Sequence, residues 1–82
     1  MSPEQCRAAR AWLNWTQQEL ARRAGVGLST VRDFEKGERT PIPNNLAALR
    51  RAFEVAGVIF MFDAVGRATG IAMTDTSLSR PA

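Results

Sequence analysis

The sequence predicts a mainly α-helical domain of four short helices followed by a C-terminal β-hairpin. Three observations carry this. Two stretches open with helix-cap chemistry, Ser2-Pro3-Glu4-Gln5 and Thr16-Gln17-Gln18-Glu19. Gly25, Gly37 and Gly57 stand where helices would end, because the left-handed residue that closes a helix costs glycine no steric penalty. After Gly57 the pattern changes to a continuous apolar run, Val58-Ile59-Phe60-Met61-Phe62, which reads as β structure.

The first helix is expected from Ser2 to about Asn14. Ser2 can cap, Pro3 suits the first helical position, and Gln5 stands where a capping box needs it. Cys6, Ala9 and Leu13 share a face, with Trp12 expected at the edge of a small core. Arg7 is expected to point away, with Arg10 between the faces. Cys6 reads as a small buried hydrophobe rather than a redox sensor.

Residues 16–37 organise the rest of the chain. Thr16 and Glu19 are expected to form a capping box, with Trp15 and Leu20 as a hydrophobic staple. Leu20, Ala21 and Ala24 supply a narrow apolar stripe, and Ala21 is small enough to let a second helix cross closely. That helix is expected over about Leu28–Lys36, with Val31 and Phe34 inward. Two helices joined by a short turn containing glycine are the sequence form of a helix-turn-helix.

Residues 37–45 read as a proline-stiffened loop, and a fourth helix as roughly Asn44–Ala56, with Leu46, Leu49, Phe53 and Ala56 on one face. Residues 63–66 are a turn candidate between residues 58–62 and a weaker returning strand ending at Met73. Both faces of this hairpin carry apolar residues, and an isolated hairpin is marginal in water. A shared sheet with a second subunit is therefore the expectation, and folding back over its own helices is the alternative. The dimerisation candidates are Val58, Ile59, Phe60, Met61, Phe62, Ile71 and Met73. The division expected is residues 2–57 as the helical domain, 58–74 as the hairpin and 75–82 as a flexible tail.

The chain has 82 residues, 11 Lys/Arg against 8 Asp/Glu, and a net charge of +3. The excess lies in residues 1–57, with nine basic and six acidic residues, and a modest basic excess favours an anionic partner. With no His and one Cys, a Cys-rich zinc site and an internal disulfide are not expected, and a reducing, cytoplasmic home fits. No stretch resembles a signal peptide or approaches membrane-spanning length. Without a nucleophile–base pair or a phosphate-cradling glycine loop, an enzyme is not expected. No cofactor, metal or small-molecule ligand is expected, and 82 residues are expected to leave no room for a separate sensing domain.

The central stretch resembles the Cro/C1-type helix-turn-helix family, the lambdoid repressors and Xre-like regulators. The residues that carry the resemblance are Gln17, Glu19, Leu20, Ala21, Gly25, Val26, Ser29, Val31, Phe34, Glu35 and Gly37. It covers residues 2–57 and implies a bacterial or phage regulator whose partner is double-stranded DNA. It also implies that the second helix of the motif reads the major groove. By position, Leu28, Ser29, Arg32 and Asp33 would then face base edges. Arg32 suits guanine, Ser29 can donate or accept, Leu28 suits a thymine methyl, and Asp33 can accept from cytosine or hold Arg32. Gln17, Gly27, Lys36, Arg39 and Thr40 are the phosphate candidates. The resemblance further implies an ion pair between Arg10 and Glu35, with both groups solvated as the alternative.

Two departures stand out. Gly27 replaces the Ser or Thr common in the family, and Asp33 places an acid facing DNA. The function expected is a homodimeric repressor and autoregulator reading a palindromic operator, though activation is also open. The alternative is a protein-binding module, an antitoxin or antiactivator, whose apolar hairpin seats a partner protein.

Overall fold

The computed structural model describes residues 1–74, so the tail expected at 75–82 lies outside the described residues. Four helices, α1 (Pro3–Leu13), α2 (Gln17–Ala24), α3 (Leu28–Glu35) and α4 (Pro43–Val55), precede an antiparallel pair, β1 (Val58–Phe62) and β2 (Ala68–Met73).

α1 begins with a complete capping box. The Gln5 N–H donates to Ser2 Oγ at 3.0 Å, and the Ser2 N–H donates to Gln5 Oε1 at 2.9 Å. α2 has only half of the expected box. Thr16 Oγ1 accepts from the Glu19 N–H at 3.0 Å, but the Glu19 carboxylate turns to Arg22 and Arg23. Two guanidiniums one turn away outcompete a neutral backbone N–H, because they add the attraction of full positive charges to the hydrogen bond. Gly25 closes α2 in the left-handed region at φ +69°.

The core joins Cys6 and Ala9 of α1, Leu20 and Ala21 of α2, Val31 and Phe34 of α3, Leu49 and Phe53 of α4, and Val58 and Phe60 of β1. Ala21 is buried and α2 packs on α3, as a small residue at the crossing allows. Trp15, expected as a staple for Leu20, finds its stacking partner on α4. Its ring lies 5.6 Å from that of Phe53, and the Arg23 guanidinium covers it at 4.3 Å. Trp12 does not edge the core. It is 69% exposed, although Gln5, seven residues earlier and so on nearly the same face, is buried where the hairpin meets α1.

The hairpin folds back over its own helices, with β1 on α4 and β2 on α1. Val58 pairs with Met73 and Phe60 with Ile71. Val58 and Phe60 are buried in the core, and Ile71 and Met73 are partly buried against it. Of the seven dimerisation candidates, Val58 and Phe60 therefore have their side chains buried in the chain's own core, while Ile71 and Met73 stay partly accessible. Phe60 meets Phe53 of α4 edge to face, with ring centroids 5.9 Å apart, so this face of the hairpin forms one wall of the core. Ile59, Met61 and Phe62 remain 49%, 46% and 41% exposed. Asp63 shapes the connection: its Oδ1 accepts the Val65 and Arg67 N–H groups, and its Oδ2 pairs with Arg67 Nε at 3.0 Å. The Arg67 N–H leads the contacts that hold the Asp63 carboxyl below its ordinary range.

Candidate nucleic-acid interface

α3 is placed from beneath. Val31 and Phe34 anchor it in the core, and Glu35, 3% exposed, fixes its last turn. Glu35 accepts from Arg10 Nε at 2.7 Å and Arg10 Nη2 at 2.8 Å, the two-pronged geometry that suits a guanidinium. Gln17 Nε2 donates to Oε1 at 3.0 Å and Cys6 Sγ to Oε2 at 3.2 Å. Arg7 donates to the Glu35 backbone carbonyl. Burial pushes the Glu35 carboxyl up, but the bonds from Arg10, Gln17 and Cys6 outweigh it and hold the group below its ordinary value. Burial pushes the Cys6 thiol up, and its bond to Glu35 adds to the shift. A thiol held protonated is a poor nucleophile, so Cys6 acts as a buried donor.

The ion pair expected between Arg10 and Glu35 is thus present and ties α1 to α3. Arg7, expected to point away, joins it. Its spacing of three residues from Arg10 was the available signal. Gln17, expected at phosphate, commits its side-chain amide to Glu35. What it leaves toward solvent is the N-terminus of α2.

The outward side of α3 faces a cleft of about 240 Å³ lined by Ser29, Thr30, Asp33, Arg39, Thr40, Pro41, Ile42 and Asn45. Two base-facing candidates, Ser29 and Asp33, therefore meet two phosphate candidates, Arg39 and Thr40, from a loop four or more residues away. The loop is fixed to α3 by the Asp33 carbonyl, which accepts the Glu38 and Arg39 N–H groups at 3.0 and 3.4 Å. Thr30, Pro41, Ile42 and Asn45 complete this wall. Sequence reasoning did not select them, because loop closure is a tertiary event.

Arg32 and Lys36 are exposed on α3, Leu28 is half-buried, and Gly27 is the exposed residue that starts the helix. Gly27 provides no side-chain cap. Asp33 does not hold Arg32, since adjacent helical residues do not face each other. Among the described residues no carboxylate lies within ion-pair distance of Arg32 or Arg39, whereas Arg22 and Arg23 are both paired with Glu19. Lys36 meets Glu38 only at 4.0 Å, with both side chains exposed, a contact of little energy.

Among the described residues no group of His, Cys, Asp and Glu could hold a metal ion, and no helix is long and apolar enough to cross a membrane. The model of the family described as Helix-turn-helix, of Cro/C1 type, matches residues 7–59, about two-thirds of the chain. No curated protein matches the chain.

Proposed function

We propose that this chain, which belongs to the Cro/C1-type helix-turn-helix family of DNA-binding proteins, is a sequence-specific, homodimeric transcriptional repressor that regulates its own promoter. The observation that carries the reading is the cleft beside α3, where Ser29, Asp33, Arg39 and Thr40 converge next to guanidiniums that have no carboxylate partner among the described residues. An unpaired exposed arginine is ready for a phosphate or a guanine edge without first breaking an ion pair.

In this reading α3 lies in the major groove. Arg32 donates two hydrogen bonds to guanine O6 and N7, a contact worth about 1–3 kcal/mol of discrimination. Ser29, Leu28 and Asp33 contact neighbouring base edges. Asp33 accepts from cytosine N4 and repels an ill-placed phosphate, which favours selectivity over general affinity. Lys36, Arg39, Thr40 and the backbone at Gly27 and Gln17 grip the phosphates on either side, and free N–H groups at helix starts suit anions.

One α3 reads few bases. Two related by a two-fold axis read both halves of a palindrome about 34 Å apart. The exposed apolar residues of the hairpin, Ile59, Met61 and Phe62, supply the surface for a second copy. Ala72 and Gly70, paired with Ile59 and Met61, keep that surface low. Repression then follows from occupancy of the operator, in the cytoplasm, without a cofactor or small-molecule ligand.

The test is an electrophoretic mobility shift with DNA from just upstream of the coding sequence, over a salt series. Tight, salt-sensitive binding is expected. Arg32→Ala should relax preference at one or two base pairs, and Arg39→Ala should lower the salt slope by about 1. Arg22→Ala should leave both unchanged. Binding no better than to random DNA, together with co-purification of a second protein on the hairpin, would favour the partner-binding alternative.

A further inference from the structure

Gln5 does more than cap α1. It is 2% exposed although polar, and a buried amide needs partners for its oxygen and both protons. All are found. Its Oε1 accepts from the Ser2 N–H, and its Nε2 donates to the Met61 carbonyl at 2.9 Å and the Gly70 carbonyl at 3.0 Å. Those two residues face each other beside an irregularity. Met61 pairs with Gly70 but Phe62 pairs with Ala68, so the ladder slips by one residue at this point. A bulge disrupts the local ladder and bends the ribbon. Gln5 joins both strands at the bend.

The same helix holds α3. Cys6, Arg7 and Arg10, within the two turns that follow Gln5, all reach Glu35. α1 is thus a strut, with the hairpin fixed at its N-terminal end and the recognition helix along its length. We infer that Gln5 is a positioning residue that sets the angle between the hairpin and α3, and so the spacing between the two halves of the operator. This rests on the dimeric DNA-binding reading above. The apolar contacts of Val58, Phe60, Ile71 and Met73 hold the hairpin to the core but are non-directional. The two hydrogen bonds of Gln5 are directional and meet the hairpin where it bends.

The test compares palindromes built from one half-site and differing in central spacing by single base pairs, together with an isolated half-site. Wild type should prefer one spacing. Gln5→Met keeps length and removes the donors. It should bind the isolated half-site within about twofold of wild type, with its advantage for the best spacing reduced by about fivefold. Ser2→Ala leaves the Nε2 bonds in place and should keep the wild-type profile. Gln5→Asn, which withdraws the amide by one methylene, should flatten the profile as Gln5→Met does. An unchanged profile in either Gln5 variant overturns the assignment. So does failure of both to fold, which would make Gln5 a core residue only. A wild type indifferent to spacing would overturn the dimeric reading itself.

Discussion

α2 and α3 are each eight residues long and lie side by side in the motif, yet they are stabilised in opposite ways. α2 satisfies its own ends and polar groups. Thr16 caps its start, Gly25 closes its end, and Glu19 binds Arg22 and Arg23 at 2.7 and 2.9 Å. α3 has no side-chain cap and no acid in its first turn. Eight residues do not make a stable helix alone in water, so both need the core, α2 through Leu20 and Ala21 and α3 through Val31, Phe34 and Glu35, but α3 has no local cap to add to it. The contrast teaches where a ligand can bind. A helix whose polar groups satisfy one another has little left to offer. A helix held from beneath leaves its outer face and first N–H groups open.

The comparison breaks most severely if the support under α3 is cut. Arg10→Ala leaves the Glu35 carboxylate buried without its cation, and we expect a loss of about 3 kcal/mol or more in urea unfolding. A loss below about 1 kcal/mol would mean that Gln17 and Cys6 suffice. Acid should act on the same support. Because the folded Glu35 carboxyl sits below its ordinary value of 4.5, its contribution is full above that value. It declines as pH falls below 4.5 and is lost once pH passes the folded value. Glu35→Gln should flatten this acid limb when midpoints are followed from pH 7 to 2. Glu19 and Asp63 are shifted the same way but lie at the surface, partly exposed. Their share should therefore be screened by added salt, and the Glu35 share much less.

A smaller change sharpens the self-sufficiency of α2. Thr16→Ala removes its cap and should cost about 1 kcal/mol in the same unfolding assay, without altering the salt slope of DNA binding. The smallest change would make α3 resemble α2. A Cβ at Gly27 would meet only Ser29 Oγ and Thr30 Oγ1 at 3.8 Å, an ordinary contact. Gly27→Ser should therefore add a cap and a few tenths of a kcal/mol, since glycine is already a fair cap. A rise in melting temperature is the expected result.

The cap at Ser2, the cap at Thr16 and the glycine stop at Gly25 were legible because each is settled by residues within one turn. The helical stripes were legible for the same reason, as was the resemblance that located α3. The Arg10–Glu35 pair spans 25 residues and was accessible only through that resemblance. Glu19 was not legible locally, because two arginines compete for it, nor was Trp12, exposed although Gln5 on nearly the same face is covered.

Sequence alone was enough for the four helices and the two strands, because periodicity and capping are short-range physics. It could show that both hairpin faces are apolar but not which one the helices would cover. That depended on the direction in which the chain leaves α4 and on contacts across the core such as that of Phe60 with Phe53. Nor could it join Gln5 to carbonyls 56 and 65 residues away, or bring the loop at Arg39 and Thr40 against α3. These are contacts between distant parts of the chain, whose partners are defined only when the core has closed.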